Sequence, residues 1–263
     1  MEVALQRYGV LLNQRAFMRS VIQGTAFMAA SMIAIFAAVT YATENASNHV
    51  TDLILSNIGP YNVGLWFVYG TFAQFGVFAG LVLWWPNRLP FALKAIALFL
   101  LVRAVFVSLT HIAPSPIDPH TPAPFLNSIF YGGDLFFSGH TGLPFLAALA
   151  FWHIPLLRAF YLMSTVFFGT IVLLGHYHYS IDVLAAVFIT SGIFQAACWL
   201  FPRDYKLFRS SDVLLTRPSR PSSRIRIEER PAPARVMPAL VRSEAGITPE
   251  SFNSKAPPQH VAQ

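Results

Sequence analysis

The chain has 263 residues, 55% of them hydrophobic and only 11% charged, with a mean hydropathy of +0.52 and a formal net charge of +6. Soluble domains carry about 25% charged residues, so this composition excludes an ordinary soluble protein and predicts an integral membrane protein. A single cysteine, Cys198, excludes an internal disulfide framework.

In chain order, residues 1–20, "MEVALQRYGVLLNQRAFMRS", form a basic, moderately amphipathic N-terminal segment. The apolar run that follows is too long for a signal-peptide core and reads as an uncleaved first span. A hydrocarbon core of roughly 30 Å takes about 20 apolar residues per helix. On that basis six spans are predicted, at residues 21–41, 63–84, 91–110, 141–157, 159–175 and 181–200, with Pro155 marking the turn between the fourth and fifth. Residues 21–201 thus make one all-α, six-span membrane domain. Residues 202–263 make a cytoplasmic tail rich in Pro, Ser and Arg, expected to be disordered from about residue 209. Eleven of the eighteen Lys and Arg lie from Arg203 onward. Such a tail suits anionic lipid headgroups, and without aromatic residues among its arginines from Arg209 to Arg242 it does not read as a nucleic-acid binder.

Charge orients the spans. Arg7, Arg15, Arg19, Arg88, Lys94, Arg158, Arg203 and Lys206 fall on one side, whereas the opposite loops hold Glu44, Asp52, Asp118 and Asp134 and no Lys or Arg. Both termini are therefore expected in the cytoplasm. The loops between spans one and two, three and four, and five and six are expected outside it, in a periplasm, at the cell exterior or in a lumen. "NAS" at Asn45 matches a glycosylation tripeptide, a pattern common by chance.

Two polar clusters interrupt the apolar runs on that outer side: "GGDLFFSGHT" at 132–141 and "GHYHYSID" at 175–182. If the second is helical, His178 and Asp182 share a face. Arg103 lies within the third span, about 10 Å below its outer end. An arginine at that depth usually faces the bundle interior; the bland alternative is snorkelling to the interface. Together these residues suit phosphoryl transfer. Arg103 and the backbone of "SGHT" at a helix start supply a cation and N–H donors. His178 is a candidate nucleophile, Asp182 its orienting carboxylate, and His140 the acid or base for the leaving or entering oxygen. The set needs no metal and no cofactor. Asp134 reads either as a headgroup ligand or as a loop cap, and His176 as structural or interfacial. Phe130, Tyr131, Phe136, Phe137, Tyr177 and Tyr179 read as an interfacial aromatic belt or as cation–π partners for a quaternary ammonium.

These stretches resemble a known family. "GDLFFSGHT" is similar to the G-D-x-x-x-S-G-H-T signature of the sphingomyelin synthase family, and "HYSIDVL" to its H-Y-[ST]-x-D-[VIL] signature. "RAVFVSLTHIAPSP" is similar to its arginine, threonine and proline stretch, with a one-residue insertion. The resemblance covers roughly residues 60–200 and extends to the type-2 phosphatidic acid phosphatase superfamily. It implies a helical bundle of that superfamily's type with an extracytoplasmic site. It also implies a phosphohistidine on His178, oriented by Asp182, with His140 handling the proton. Arg103, Asp134, Ser138, Gly139, Thr141 and Tyr179 would be substrate-binding. The implied substrates are a membrane phospholipid donor and ceramide or a diacylglycerol-like lipid as acceptor; the chain is open to homo-oligomerisation. Two departures stand out. Gly132 replaces the cysteine usual in eukaryotic members, which bears on choline specificity. The K-x6-R-P motif of lipid phosphatases is absent, and no arginine lies six residues before His178. The alternatives are a lipid phosphate phosphatase or phospholipase C-type hydrolase on the same site, a membrane protein ligating metal or haem through His140, His176 and His178, and a transporter or scaffold.

Overall fold

The computed structural model describes residues 8–113, 115 and 136–210. The chain divides into two units, Met1–Arg217 and Pro218–Gln263, and every described residue belongs to the first. Asp134, Phe130, Tyr131 and the tail beyond residue 210 lie outside the described residues. Among the described residues there is no strand, and the main elements are seven α-helices. They are α1 (Arg15–Glu44), α2 (Gly64–Trp84), α3 (Leu89–Leu109), α4 (Gly139–Ala150), α5 (Pro155–Leu174), α6 (Ser180–Leu200) and α7 (Pro202–Arg209), with a 3-10 turn at Pro86–Arg88 between α2 and α3.

The helix boundaries follow from local chemistry. Proline sits in the first turn of the Pro86–Arg88 turn, α3, α5 and α7, where its missing N–H costs nothing and its fixed φ favours the helix. At the end of α1, Asn45 returns both its backbone N–H and its side-chain amide to the Tyr41 carbonyl. This gives the "NAS" asparagine a capping contact in the structure.

Five helices are long and apolar enough to cross a membrane: α1, α2, α3 with its preceding turn, α5 and α6. The expected fourth span differs. Instead of residues 141–157, α4 has 12 residues and ends at Ala150, a length of about 18 Å. The turn falls at 151–154, and Pro155 opens α5 four residues before the expected start. Within "FWHIP", His153 and Pro155 interrupt the apolar run, and the helix breaks there. Ile154 before the proline is extended, as the steric demand of the proline ring requires. Depth explains the short helix. α4 begins beside Arg103, well inside the bundle, and runs antiparallel to the lower part of α3. A Cβ on Gly139 would lie 3.3 Å from Arg103 Nε, and one on Gly142 would lie 2.7 Å from the Phe99 ring. Both glycines thereby permit close approach.

The bundle has two chemically distinct ends. At one, Lys94 Nζ donates to Ser20 Oγ at 2.8 Å and to Asp204 Oδ2 at 2.7 Å, tying α1, α3 and α7 together. Arg88 there packs over Trp85, Phe151 and Phe208, and the Tyr8 hydroxyl donates to the Leu83 carbonyl. α7 thus orders the first residues of the segment assigned to the tail. At the other end, the loops after α1, α3 and α5 are joined. Ser47 N–H donates to the His111 carbonyl, and Tyr61 N–H to the Leu174 carbonyl. The Tyr179 hydroxyl donates to the Ala113 carbonyl. Between the ends the main apolar core is built from α3, α4, α5 and α6, with Phe91, Phe99, Phe137, Phe151 and Tyr161 fully buried. α1 packs chiefly along α3.

Candidate active site

The site forms where α3, α4 and the turn between α5 and α6 meet. That turn is set by a helix-stop geometry. Gly175 is the C-cap of α5, His176 N–H bonds to the Leu173 carbonyl, and Tyr177 N–H bonds to the Val172 carbonyl. This is a Schellman motif, and it demands a left-handed residue after the cap. His176 takes that position with φ 56°, the sole positive φ at a non-glycine among the described residues. Its ring is buried, and its Nε2 lies 2.9 Å from the Ile58 carbonyl. The carbonyl can only accept, so that nitrogen carries the proton. The structure gives His176 the structural role expected for it.

The reversal presents His178 in the turn just ahead of α6, where the expected fifth and sixth spans leave it. Its side chain meets that of Asp182. His178 Nδ1 lies 3.6 Å from Asp182 Oδ2, with both groups buried. That separation exceeds a hydrogen bond, and catalytic contacts without substrate are commonly loose and tighten in the reacting complex. Asp182 occupies the first turn of α6, where the helix dipole favours an anion. Its Oδ2 also accepts the Tyr179 N–H at 2.9 Å, and its backbone carbonyl accepts the Ser138 N–H at 3.1 Å. One residue therefore fixes both polar clusters.

Ser138 caps α4, its Oγ facing the Thr141 N–H at 3.4 Å and the Thr141 hydroxyl at 3.3 Å. Both side chains are buried against each other. His140, one residue into α4, packs its ring on Phe67 at 4.4 Å between centroids, and Phe67 packs on Tyr177 at 4.7 Å. His140 is within electrostatic reach of His178 and Arg103. Arg103 is buried, and its Nε donates to the Phe137 carbonyl at 3.0 Å. It therefore turns into the bundle and does not snorkel outward. Arg103, Gly139 and His140 together border a cavity of about 230 Å³ that continues between Thr71, Gln74, Phe75, Phe99, Leu143 and Phe168. A cation beside a helix N-terminus is a favourable place for an anion. Tyr179 is buried at the start of α6, its hydroxyl committed to Ala113. Of the aromatic residues named above, Phe137 and Tyr177 are buried in the bundle wall.

Asp52 is the residue that sequence reasoning passed over. It stood only as an outer-loop acid, yet its Oδ2 accepts both the N–H and the hydroxyl of Ser180 at 2.7 Å. Its Oδ1 accepts the N–H groups of Ile54 and Leu55. The latter contacts form an Asx-type turn, which "TDLIL" could have suggested; the link to Ser180 leaves no local trace. Burial works to raise the Asp52 pKa, but the hydrogen bonds from Leu55, Ser180 and Ile54 outweigh it and hold the carboxyl below its ordinary value. Among the described residues, no three His, Cys, Asp or Glu side chains cluster in a way that could hold a metal ion.

Residues 132–199 match the family model described as PAP2 superfamily C-terminal. No curated protein and no solved structure matches the chain. The matched segment carries α4, α5 and α6, with His140, His178 and Asp182. Arg103 and Asp52 lie outside it and join the site through folding alone. The match supports a phosphatase or phosphotransferase type of lipid enzyme, and with the five apolar helices it indicates a multi-pass membrane protein.

Proposed function

We propose that the chain is a membrane-embedded phosphotransferase that moves a phospho-headgroup, phosphocholine or phosphoethanolamine, from a glycerophospholipid to ceramide or a related lipid alcohol. The observation that supports this reading is the convergence of Arg103, His140 and the His178–Asp182 pair at one end of the bundle. Because Nδ1 of His178 faces Asp182, its Nε2 is the attacking nitrogen. That nitrogen bonds to phosphorus as the bond from phosphorus to the diacylglycerol oxygen breaks, and His140 gives the leaving oxygen its proton. Asp182 steadies the positive imidazole ring. In the second half, His140 takes the proton of the acceptor hydroxyl. The acceptor oxygen then bonds to phosphorus, and the bond to His178 breaks. Arg103 carries the negative charge that builds on the phosphoryl oxygens. Such preorganised electrostatic stabilisation is commonly the largest single contribution to catalysis.

The same intermediate is open to water, which makes lipid phosphoester hydrolysis the second reading. Full-length protein incubated with headgroup-labelled phospholipid separates the two. Label appearing in a new lipid only when ceramide or diacylglycerol is added supports transfer. Label appearing as free phospho-headgroup regardless of acceptor supports hydrolysis, and no release of either kind rejects both. The distribution of Lys and Arg supports placing this end outside the cytoplasm. A cysteine replacing Ser115 in a Cys198→Ala background should then react with an impermeant maleimide from outside.

A further inference from the structure

The site cavity has a mixed lining: Arg103 and His140 are polar, and Phe99, Leu143 and Phe168 are apolar. A narrower space of about 30 Å³ shares Gln74, Phe75 and Leu143 with it and continues between α2, α3 and α4 to Phe91 and Phe208. Among the residues of α2 that face this path, two are polar. Thr71 already donates its hydroxyl to the Phe67 carbonyl at 2.6 Å. Gln74 does not have such an outlet: its Oε1 is buried without a hydrogen-bond partner among the described residues. Leaving a buried acceptor unmet is costly, and such groups call for an explanation.

Depth suggests one. Phe67 packs on the His140 ring, and Gln74 follows seven residues later, about 10 Å further along α2. Helical side chains lean toward their own N-terminus, which for α2 is the site end, and Gln74 and His140 line the same cavity. A lipid whose phosphate lies at Arg103 places its backbone atoms a few ångströms further in, at the level of the Gln74 amide, and its chain in the apolar path beyond.

We infer that Gln74 reads the lipid backbone, its Oε1 accepting a hydrogen bond from the amide N–H of an amide-linked lipid alcohol. Ester-linked glycerolipids have only acceptor oxygens where the amide-linked lipid has its N–H, so their linkage cannot satisfy Oε1. This rests on the lipid phosphotransfer reading and adds to it the residue that selects the acceptor.

The test measures binding, so that it stands apart from turnover. Full-length wild type, Gln74→Leu and Gln74→Glu are placed in detergent micelles. A short-chain amide-linked lipid alcohol and a short-chain diacylglycerol then compete against a fluorescent lipid. Wild type should prefer the amide lipid by roughly three- to tenfold, the range expected of one neutral hydrogen bond. Gln74→Leu, nearly equal in size, should weaken the amide lipid alone and bring the ratio close to one. Unchanged binding of the diacylglycerol shows that the variant is folded. Gln74→Glu keeps an acceptor and should keep the preference. Equal affinities in wild type, a ratio unmoved by Gln74→Leu, or a Gln74→Glu variant as indifferent as Gln74→Leu would each overturn the inference. Labelled phospholipid is assayed in parallel. No turnover alongside an intact Gln74-dependent ratio rejects phosphotransfer and leaves the backbone-reading role; turnover with a ratio indifferent to Gln74 does the reverse.

Discussion

α3 carries two buried cations nine positions apart, and their surroundings differ in kind. Lys94 is held by the Asp204 carboxylate and the Ser20 hydroxyl, so its charge is spent joining three helices. Arg103 donates to the Phe137 carbonyl and borders a cavity with His140 and a helix N-terminus. Burial is nearly the same, at 6% and 4% exposure. What separates this latch from the site is therefore not depth but setting. Lys94 lies between packed helices. Arg103 lines a cavity together with His140 and the start of α4, a favourable place for an anion.

The largest effects should fall on the cavity side of this comparison. His178→Ala should abolish transfer of labelled headgroup, and Asp182→Asn should lower it by orders of magnitude, because the neutral amide favours the wrong imidazole tautomer. Near-normal turnover in a correctly inserted His178→Ala protein would remove the nucleophile and the mechanism with it.

The two cations should respond in opposite ways to replacement. Arg103→Lys keeps charge but not the two-donor fork. It should lose about ten- to 150-fold in kcat if the contact is worth roughly 1.5–3 kcal/mol, with thermal stability little changed. Lys94→Met leaves the half-buried Asp204 with the Ser20 hydroxyl but without its cation. It should lower stability by about 3 kcal/mol, seen as a reduced Tm in detergent, while kcat per folded molecule stays near wild type. If Lys94→Met loses kcat at full stability, or Arg103→Lys loses stability at full kcat, the distinction between latch and site fails.

Asp52 sharpens the comparison at the site end, because it too is a latch. Its hydrogen bonds hold the folded-state pKa below the ordinary 3.8. The stability it contributes is then fully present above that value and is lost as pH falls through the lower folded value. Wild type should destabilise more steeply than Asp52→Asn below about pH 4, as read by Tm against pH. At neutral pH, Asp52→Asn should cut activity several-fold, because Ser180 and the turn bearing His178 lose their anchor. Parallel Tm–pH curves for the two proteins would deny Asp52 this role. The smallest expected effect is from chelation. Activity should survive EDTA, and loss restored by added Zn²⁺ or Mn²⁺ would reassign the histidines as ligands.

Much of this could be read before folding was considered. Long apolar runs announce helices that span a membrane, since the bilayer sets their length and leaves the backbone few other conformations. The asymmetry of Lys and Arg separated the two ends, and the structure brings Arg88, Lys94 and Arg209 together at one of them. The two polar clusters stood out because glycine, histidine and aspartate are unexpected in such runs. Local pattern misled at the fourth span, which hydropathy carried past Ala150. The expected spans left His178 in the turn between the fifth and sixth, where a Schellman motif holds His176 left-handed.

Other features depend on packing between distant segments. Asp52 meets Ser180 across 128 positions, Arg103 meets the Phe137 carbonyl across 34, and Gln74 meets the cavity from a helix with no motif at all. Composition and periodicity report what each segment prefers along its own axis: apolar length, helix starts and stops, and the side on which charge collects. Which carboxylate is consumed by which cation, and which polar atom is left facing a cavity, is decided only when the helices dock. Those outcomes depend on distances between chain segments that no local pattern encodes.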